Sequence, residues 1–134
     1  MSAPDPGNHR AIILYVEDNA ENRLLIRRIL NSEGHDVIEA DSATAALRVL
    51  QDQTPDLILM DINMPDIDGY TLTAYLKAQP GLKEIPIIAM TANALKGDRE
   101  RSLEAGCNGY IQKPIDVDTL TEEILHFLAA RVKS

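Results

Sequence analysis

The chain has 134 residues, a length that fits one domain with a single hydrophobic core. Hydrophobic residues make up 45% of it, too many for a disordered chain, and no apolar run approaches the ~20 residues of a membrane-spanning helix, so we expect no membrane partner. The formal net charge is −8, and because so acidic a surface repels phosphate backbones, we expect no nucleic-acid partner.

The N-terminal segment differs in composition from the rest. Residues 1–10 are polar, contain two prolines and a glycine, and lack the apolar stretch of a secretory signal. We therefore expect 1–10 to be a flexible lead-in and 11–134 to be the folded domain. The single cysteine, Cys107, excludes an internal disulfide, which suits a reducing cytoplasm, and we expect it to pack in the core.

Five short apolar runs follow one another along the chain, and amphipathic stretches separate them. The runs lie at 12–16, 37–38, 57–60, 87–90 and 110–111. Continuous aliphatic and β-branched runs of this length are typical of strands buried on both faces. The alternation of such strands with helices predicts an α/β domain, with one parallel sheet covered by helices on both faces.

The amphipathic stretches carry apolar residues at helical spacing. These residues are Ala43, Ala46, Leu47 and Leu50 in the second stretch, Leu72, Tyr75 and Leu76 in the third, and Val117, Leu120, Ile124 and Phe127 in the fifth. Ser42 is a suitable N-cap for the second helix. Gly34, Pro80 and Gly106 indicate where the first, third and fourth helices end.

Polar residues with complementary chemistry follow four of the predicted strands: Glu17 and Asp18, Asp61, Thr91, and Lys113. Right-handed crossovers bring these strand ends to one edge of the sheet, where ligands of open α/β sheets bind. Three clustered carboxylates require a cation, and oxygen ligands suit Mg²⁺. Lys113 and Thr91 could then meet phosphoryl oxygens, and a carboxylate could act as the nucleophile of phosphoryl transfer, giving an aspartyl phosphate.

Each of these residues also has a simpler interpretation when taken alone. Asp18 could be an acidic helix cap with Glu21 as its partner at the third position. Thr91 could cap a strand end, and Lys113 could be a loop charge. Their coincidence at consecutive strand ends favours a shared site over four unrelated explanations.

Four segments resemble the signature blocks of response-regulator receiver domains: YVEDN at 15–19, LMDINMP at 59–65, MTA at 90–92 and YIQKP at 110–114. The resemblance runs from about Ala11 to the end of the fifth helix. It implies a flavodoxin-like (βα)5 fold with a doubly wound, parallel, five-stranded sheet. Residues 94–98 and 106–107 look most like stand-alone receivers of the DivK type and the receivers of hybrid histidine kinases.

The resemblance also implies roles for the acidic residues. Asp61 would be the phospho-acceptor, and Asp18 and Asp61 would ligate Mg²⁺ directly, together with the backbone carbonyl of Asn63. Glu17 would act largely through water. One departure from the family pattern is this first acidic position, where Asp is commoner than Glu; the extra methylene favours a water-mediated contact.

Further roles follow from the same resemblance. Thr91 and Lys113 would bind phosphoryl oxygens, the bond between Lys113 and Pro114 would be cis, and Tyr110 would be a rotating switch residue. The chain would be a cytoplasmic signalling domain that promotes its own phosphorylation and dephosphorylation. Its partners would be a sensor histidine kinase or a histidine phosphotransfer protein, and a downstream protein, since no output domain is evident.

Two other classes of protein use similar elements. A Mg²⁺-dependent phosphatase of the haloacid dehalogenase type also places an Asp after a strand, but it wants a second acid where Asn63 stands. A flavin-binding flavodoxin-like module needs a hydroxyl- and glycine-rich phosphate loop after the first strand. Residues 17–19 would instead repel the flavin phosphate.

Overall fold

The computed structural model describes residues 10–64, 69–92 and 97–133, and within them five strands alternate with five helices. The strands are β1 (Ile12–Val16), β2 (Asp36–Ala40), β3 (Leu57–Asp61), β4 (Ile87–Thr91) and β5 (Gly109–Gln112). The helices are α1 (Ala20–Ser32), α2 (Ala43–Asp52), α3 (Gly69–Lys77), α4 (Asp98–Ala105) and α5 (Val117–Lys133). All strand pairs are parallel, in the order β2-β1-β3-β4-β5, which confirms the predicted α/β sheet.

The sheet separates two layers of hydrophobic core. Alternate strand residues such as Tyr15 and Leu59 pack with α1 and α5, and we call this side the α1/α5 face. The intervening residues, such as Val16 and Met60, pack with α2 and α3 on the opposite side, the α2/α3 face. Burial on both faces explains why the strands are continuous apolar runs without a polar alternation.

The predicted helix signals are mostly confirmed. The Ser42 side chain caps α2 by accepting a hydrogen bond from the backbone amide of Ala45, and Gly106 ends α4 in the left-handed conformation. Helix α3 ends at Lys77, three residues before Pro80, and a turn fills the interval. None of the helices in the described part of the chain has the length and apolarity to cross a membrane.

The apolar stripe of α3 differs from the predicted one. Tyr75 is 52% exposed, and the buried positions are Gly69, Leu72, Thr73 and Leu76. The spacing is helical, as predicted, but two of its members are a glycine and a threonine, which a search for large apolar residues passes over. Val117, the first residue of α5, is likewise exposed, because the buried stripe of that helix begins at Leu120.

The other predicted features fall on single positions. Cys107 is buried and its Sγ lies 3.7 Å from Thr73 Oγ1, so it is a core residue as expected. Burial raises the pKa of this thiol, which disfavours the reactive thiolate. Of the predicted lead-in, 1–10, only Arg10 is among the described residues, and it forms an exposed ion pair with Asp36 at 2.9 Å.

Candidate functional site

The acidic residues gather at the carboxyl edge of the sheet, as the sequence predicts. Glu17 follows β1 and Asp61 is the last residue of β3, and their side chains are buried against neighbouring elements. Asp18 is exposed at the mouth of the site. One carboxylate oxygen from each of the three lies within 4.8 Å of the others, an arrangement that can hold a metal ion.

The predicted strands are one residue too short at two functional positions. Asp61 and Thr91 are the last residues of β3 and β4, and each has a partner in the parallel ladder, Met90 and Gln112 respectively. Both residues are therefore held within the strands by ladder hydrogen bonding, where the sequence analysis placed them just after the strands. A strand end is a more rigid support for a functional side chain than a loop.

Lys113 lies between the two buried acids. Its Nζ is 3.1 Å from Glu17 Oε1 and 3.3 Å from Asp61 Oδ1. Burial alone would lower the pKa of Lys113, but the negative charges of Asp61 and Glu17 outweigh this and raise it. The lysine is thus firmly cationic, and it offsets part of the repulsion among the carboxylates. The peptide bond to Pro114 is cis, as the resemblance implies.

Asp61 is held by a hydrogen bond from the backbone and by the close approach of α3. Its Oδ1 accepts a hydrogen bond from the backbone amide of Asn63 at 3.0 Å. On the other side, a Cβ on Gly69 would come within 2.8 Å of the Asp61 carbonyl oxygen and of Ile62. Gly69 begins α3, and its φ is not positive, so it does not serve a left-handed turn. Its role is to let the helix approach the end of β3 closely.

The helix-cap interpretation of Asp18 is wrong. Asn19 is the N-cap of α1, and its side chain accepts a hydrogen bond from the backbone amide of Asn22 at 2.9 Å. The Asp18 carboxylate is therefore not used for capping and lies with the other acids. This removes the simplest structural explanation for an acidic residue at this position.

Glu17 has partners that the sequence did not predict. Its Oε1 accepts a hydrogen bond from the Tyr15 hydroxyl at 3.1 Å, and its backbone carbonyl accepts one from Arg23 at 2.8 Å. Burial, followed by the charge of Glu17, raises the pKa of the Tyr15 phenol, which keeps it a hydrogen-bond donor. The signal for Tyr15 was present, because residues two apart in a strand share a face. No such signal was present for Arg23, which is six positions from Glu17 in the sequence.

Thr91 and Tyr110 belong to the other side of the sheet. Thr91 is fully buried, and its backbone carbonyl accepts a hydrogen bond from the Lys113 amide at 2.7 Å. Tyr110 is partly buried, with its hydroxyl oxygen inside the protein. In the β4–β5 ladder, Ala89 lies beside Tyr110 and Thr91 lies beside Gln112. Thr91 and Ala89 are two residues apart in β4 and point to the same side, so Thr91 and Tyr110 both lie on the α2/α3 face.

The donor set of the acidic cluster fits Mg²⁺. All three side chains offer hard carboxylate oxygens, and two of them are buried close to a single lysine, Lys113. Mg²⁺ usually takes one or two carboxylates and keeps several waters, and the exposed Asp18 leaves the cluster open on one side.

Comparison with known proteins agrees with this site. The family model of the response regulator receiver domain matches residues 13–125. The polar-differentiation response regulator DivK of Brucella ovis is 42% identical over 116 residues, which are 87% of this chain and 94% of that protein. The receiver domain of a signal transduction histidine kinase from Syntrophus aciditrophicus superimposes with a TM-score of 0.84 at 35% identity, over 90% of this chain and 91% of that one.

A second solved structure bears on the metal. The receiver domain of a sensor histidine kinase from Pseudomonas aeruginosa PAO1 was solved with a magnesium ion coordinated in its active-site cleft. It is 40% identical to this chain and superimposes with a TM-score of 0.83, over 89% of this chain and 98% of that one.

The chain therefore belongs to the response regulator receiver domain family. It is a phospho-accepting domain of two-component signalling, with a histidine kinase as its partner, and not a metabolic enzyme. Its flavodoxin-like fold and its acidic triad of Glu17, Asp18 and Asp61 match the fold and the Mg²⁺ site of receivers. The phosphatase and flavin-binding alternatives are wrong.

Proposed function

We propose that Asp61 is the residue that accepts the phosphoryl group. A carboxylate oxygen attacks the phosphorus of a phosphohistidine, the phosphorus–nitrogen bond breaks, and the imidazole leaves with the electron pair. The observation that carries this proposal is the environment of Asp61. Its side chain is buried at the carboxyl edge of the sheet, and its Oδ1 contacts the Lys113 ammonium and accepts a hydrogen bond from the Asn63 backbone amide. Lys113 and the Thr91 hydroxyl bind the phosphoryl oxygens as charge moves onto them.

The acidic cluster holds Mg²⁺ in this proposal. Asp18, Asp61 and the backbone carbonyl of Asn63 are the direct ligands, and Glu17 acts through water. When bound, Mg²⁺ supplies the positive charge that offsets the carboxylates and the phosphoryl oxygens. Glu17 and Asp61 contribute by being fixed in place beforehand, so little reorganisation is needed when the phosphoryl group arrives.

The proposal also covers the domain boundaries, the partners and the subcellular location. The receiver domain comprises 11–134, after the lead-in at 1–10. It takes its phosphoryl group from a sensor histidine kinase or a histidine phosphotransfer protein, and it passes the signal to a downstream protein. The net charge of −8 disfavours nucleic acid and anionic membrane surfaces as targets. We place the domain in the cytoplasm, where its single cysteine stays reduced.

Acetyl phosphate provides the test of this function. The protein is incubated with acetyl phosphate and MgCl2, and its intact mass is measured. The expected result is a mass increase of one phosphoryl group with MgCl2 and no increase when EDTA is present during the incubation. A mass that never changes, under conditions in which the protein is folded, would contradict the proposal.

The two acids after β1 should differ in their effect on metal binding. We expect Asp18→Asn to weaken Mg²⁺ binding at least about tenfold, because it removes a direct ligand, and Glu17→Gln to weaken it less. Both changes should raise the thermal stability of the metal-free protein, since they relieve like-charge repulsion. Chemical-shift titration with MgCl2 measures the affinities. Glu21→Gln, on an exposed acid of α1, is the matched control. Unchanged affinity in both variants would mean that these acids do not serve a metal.

Phosphorylation should alter the face formed by α4, β5 and α5, roughly 94–105 and 110–131, of which 94–96 lie outside the described residues. When the Thr91 hydroxyl turns toward the phosphoryl group, it vacates space on the α2/α3 face, and Tyr110 swings into it. One charge-assisted hydrogen bond, worth about 1.5–3 kcal/mol, shifts such an equilibrium by about tenfold or more. The measurement compares amide chemical shifts with and without beryllofluoride, which mimics the phosphoryl group. Changes confined to the loops around Asp61 would contradict the switch.

A further inference from the structure

We propose that Tyr15 is a positioning residue for the metal site, in that its hydroxyl fixes the rotation of the Glu17 carboxylate. This inference rests on the proposed function of the acidic cluster as a Mg²⁺ site. The contact that carries it is the 3.1 Å hydrogen bond from the Tyr15 hydroxyl to Glu17 Oε1, between two residues that are each 1% exposed.

The geometry follows from the strand. Tyr15 and Glu17 are two residues apart in β1 and its continuation, so both side chains point to the α1/α5 face. The tyrosine ring is packed in the core beneath the site, among residues such as Ile26 and Leu59, and this packing fixes the position of its hydroxyl relative to Glu17. The longer side chain of glutamate is what brings a carboxylate oxygen within reach of this hydroxyl. An aspartate, one methylene shorter, would hold its carboxylate elsewhere.

The carboxylate needs such a restraint. The last torsion of a glutamate side chain has broad minima, so nothing intrinsic decides which oxygen faces the site. In this structure Oε1 accepts hydrogen bonds from Tyr15, from Lys113 at 3.1 Å and from Asn22 at 3.5 Å. Among the described residues, Oε2 accepts one, from the Asn19 amide at 3.3 Å.

The two oxygens of Glu17 therefore have different tasks. Oε1 is committed to the protein, and Oε2 keeps lone-pair capacity for a water molecule of the metal. Without the hydroxyl of Tyr15, Oε1 would be held by Lys113, which also contacts Asp61, and by the long 3.5 Å hydrogen bond from Asn22. The Glu17 carboxylate would then sample several rotations. The loss of conformational entropy on fixing one of them when Mg²⁺ binds would lower the affinity for Mg²⁺.

The experiment uses Tyr15→Phe, which keeps the ring and removes the hydroxyl. The dissociation constant for Mg²⁺ is measured by amide chemical-shift titration with MgCl2 alone, without a phosphoryl donor, and the same spectra show whether the variant is folded. We expect Mg²⁺ binding to weaken by about three- to tenfold, which lies within the range of the net contribution of one ordinary hydrogen bond, because Tyr15 acts on the metal only through Glu17. Tyr75→Phe makes the same change on the exposed side of α3 and should leave the affinity unaltered.

A second background separates positioning from packing. In Glu17→Asp, the carboxylate is too short to keep the Tyr15 contact, so adding Tyr15→Phe should weaken Mg²⁺ binding no further. Equal affinity in Tyr15→Phe and the wild type, or the same loss in both backgrounds, would overturn the inference and reduce Tyr15 to a core residue. If the wild type itself binds no Mg²⁺, the proposed function fails, and the inference fails with it.

Discussion

Asp61→Asn should abolish phosphorylation by acetyl phosphate and by any histidine kinase that phosphorylates the wild type. The amide is close to isosteric with the carboxylate and can still accept the hydrogen bond from the Asn63 backbone amide, so the fold should be retained. What is lost is the anionic oxygen that attacks phosphorus, and an amide oxygen is a far poorer nucleophile. Intact mass spectrometry of the variant with acetyl phosphate and MgCl2 should show the unmodified protein alone.

The control for this variant is Asp52→Asn. Asp52 is the last residue of α2 and is exposed, at the end of the helix away from the acidic cluster, so this variant should be phosphorylated like the wild type. The metal-free Asp61→Asn protein should also melt no lower than the wild type, because a like charge has been removed from the cluster. Labelling of Asp61→Asn at the wild-type rate would move the acceptor to another residue and overturn the mechanism.

Lys113→Ala should separate the two functions of the site. Without the lysine, Glu17 and Asp61 lose their shared cation, and both are buried. Removal of one partner from a fully buried ion pair is strongly destabilising, and because Lys113 is 21% exposed we expect a smaller loss, about 2–3 kcal/mol in the free energy of unfolding without metal. Mg²⁺ binding should be retained, and the rate of phosphorylation should fall about 100-fold, since one charge facing the phosphoryl oxygens is missing.

Three measurements on one protein test this prediction. Denaturant unfolding in EDTA gives the stability, chemical-shift titration with MgCl2 gives the affinity, and the time course of intact mass gives the rate. Lys83→Ala, on an exposed lysine in the turn before β4, is the matched control and should change none of the three. A Lys113→Ala protein that is as stable and as quickly phosphorylated as the wild type would reduce Lys113 to a loop charge.

Most of the site could be predicted because it depends on the order of elements and not on fine packing. Parallel strands with right-handed crossovers must place their carboxyl ends together, so Glu17, Asp61 and Lys113 had to meet wherever the exact strand boundaries fell. The order of the strands in the sheet was not evident from the residues, and the resemblance to receivers was used only to predict a flavodoxin-like, doubly wound sheet.

What escaped prediction has identifiable physical causes. Asp18 and Asn19 are both good N-cap residues, and only the backbone geometry at the start of α1 decides between them. Gly69 could equally serve a positive φ or a close approach, and the choice depends on how near α3 lies to the end of β3. Tyr15 was counted as part of an apolar strand, because its hydrogen bond to Glu17 depends on the length of the glutamate side chain.

The sheet divides the site between its two faces. Tyr15, Glu17 and Lys113 occupy the α1/α5 face, whereas Thr91 and Tyr110 occupy the α2/α3 face, and the two groups meet at the carboxyl edge beside Asp61. The two described core clusters have no residue in common, so a substitution in one layer need not repack the other. In the proposed function, Tyr15 and Glu17 act on the metal from one face and Tyr110 acts on the output surface from the other, so a change in either group need not alter the other. Such separation lets one small scaffold acquire new outputs without losing the reaction that drives them.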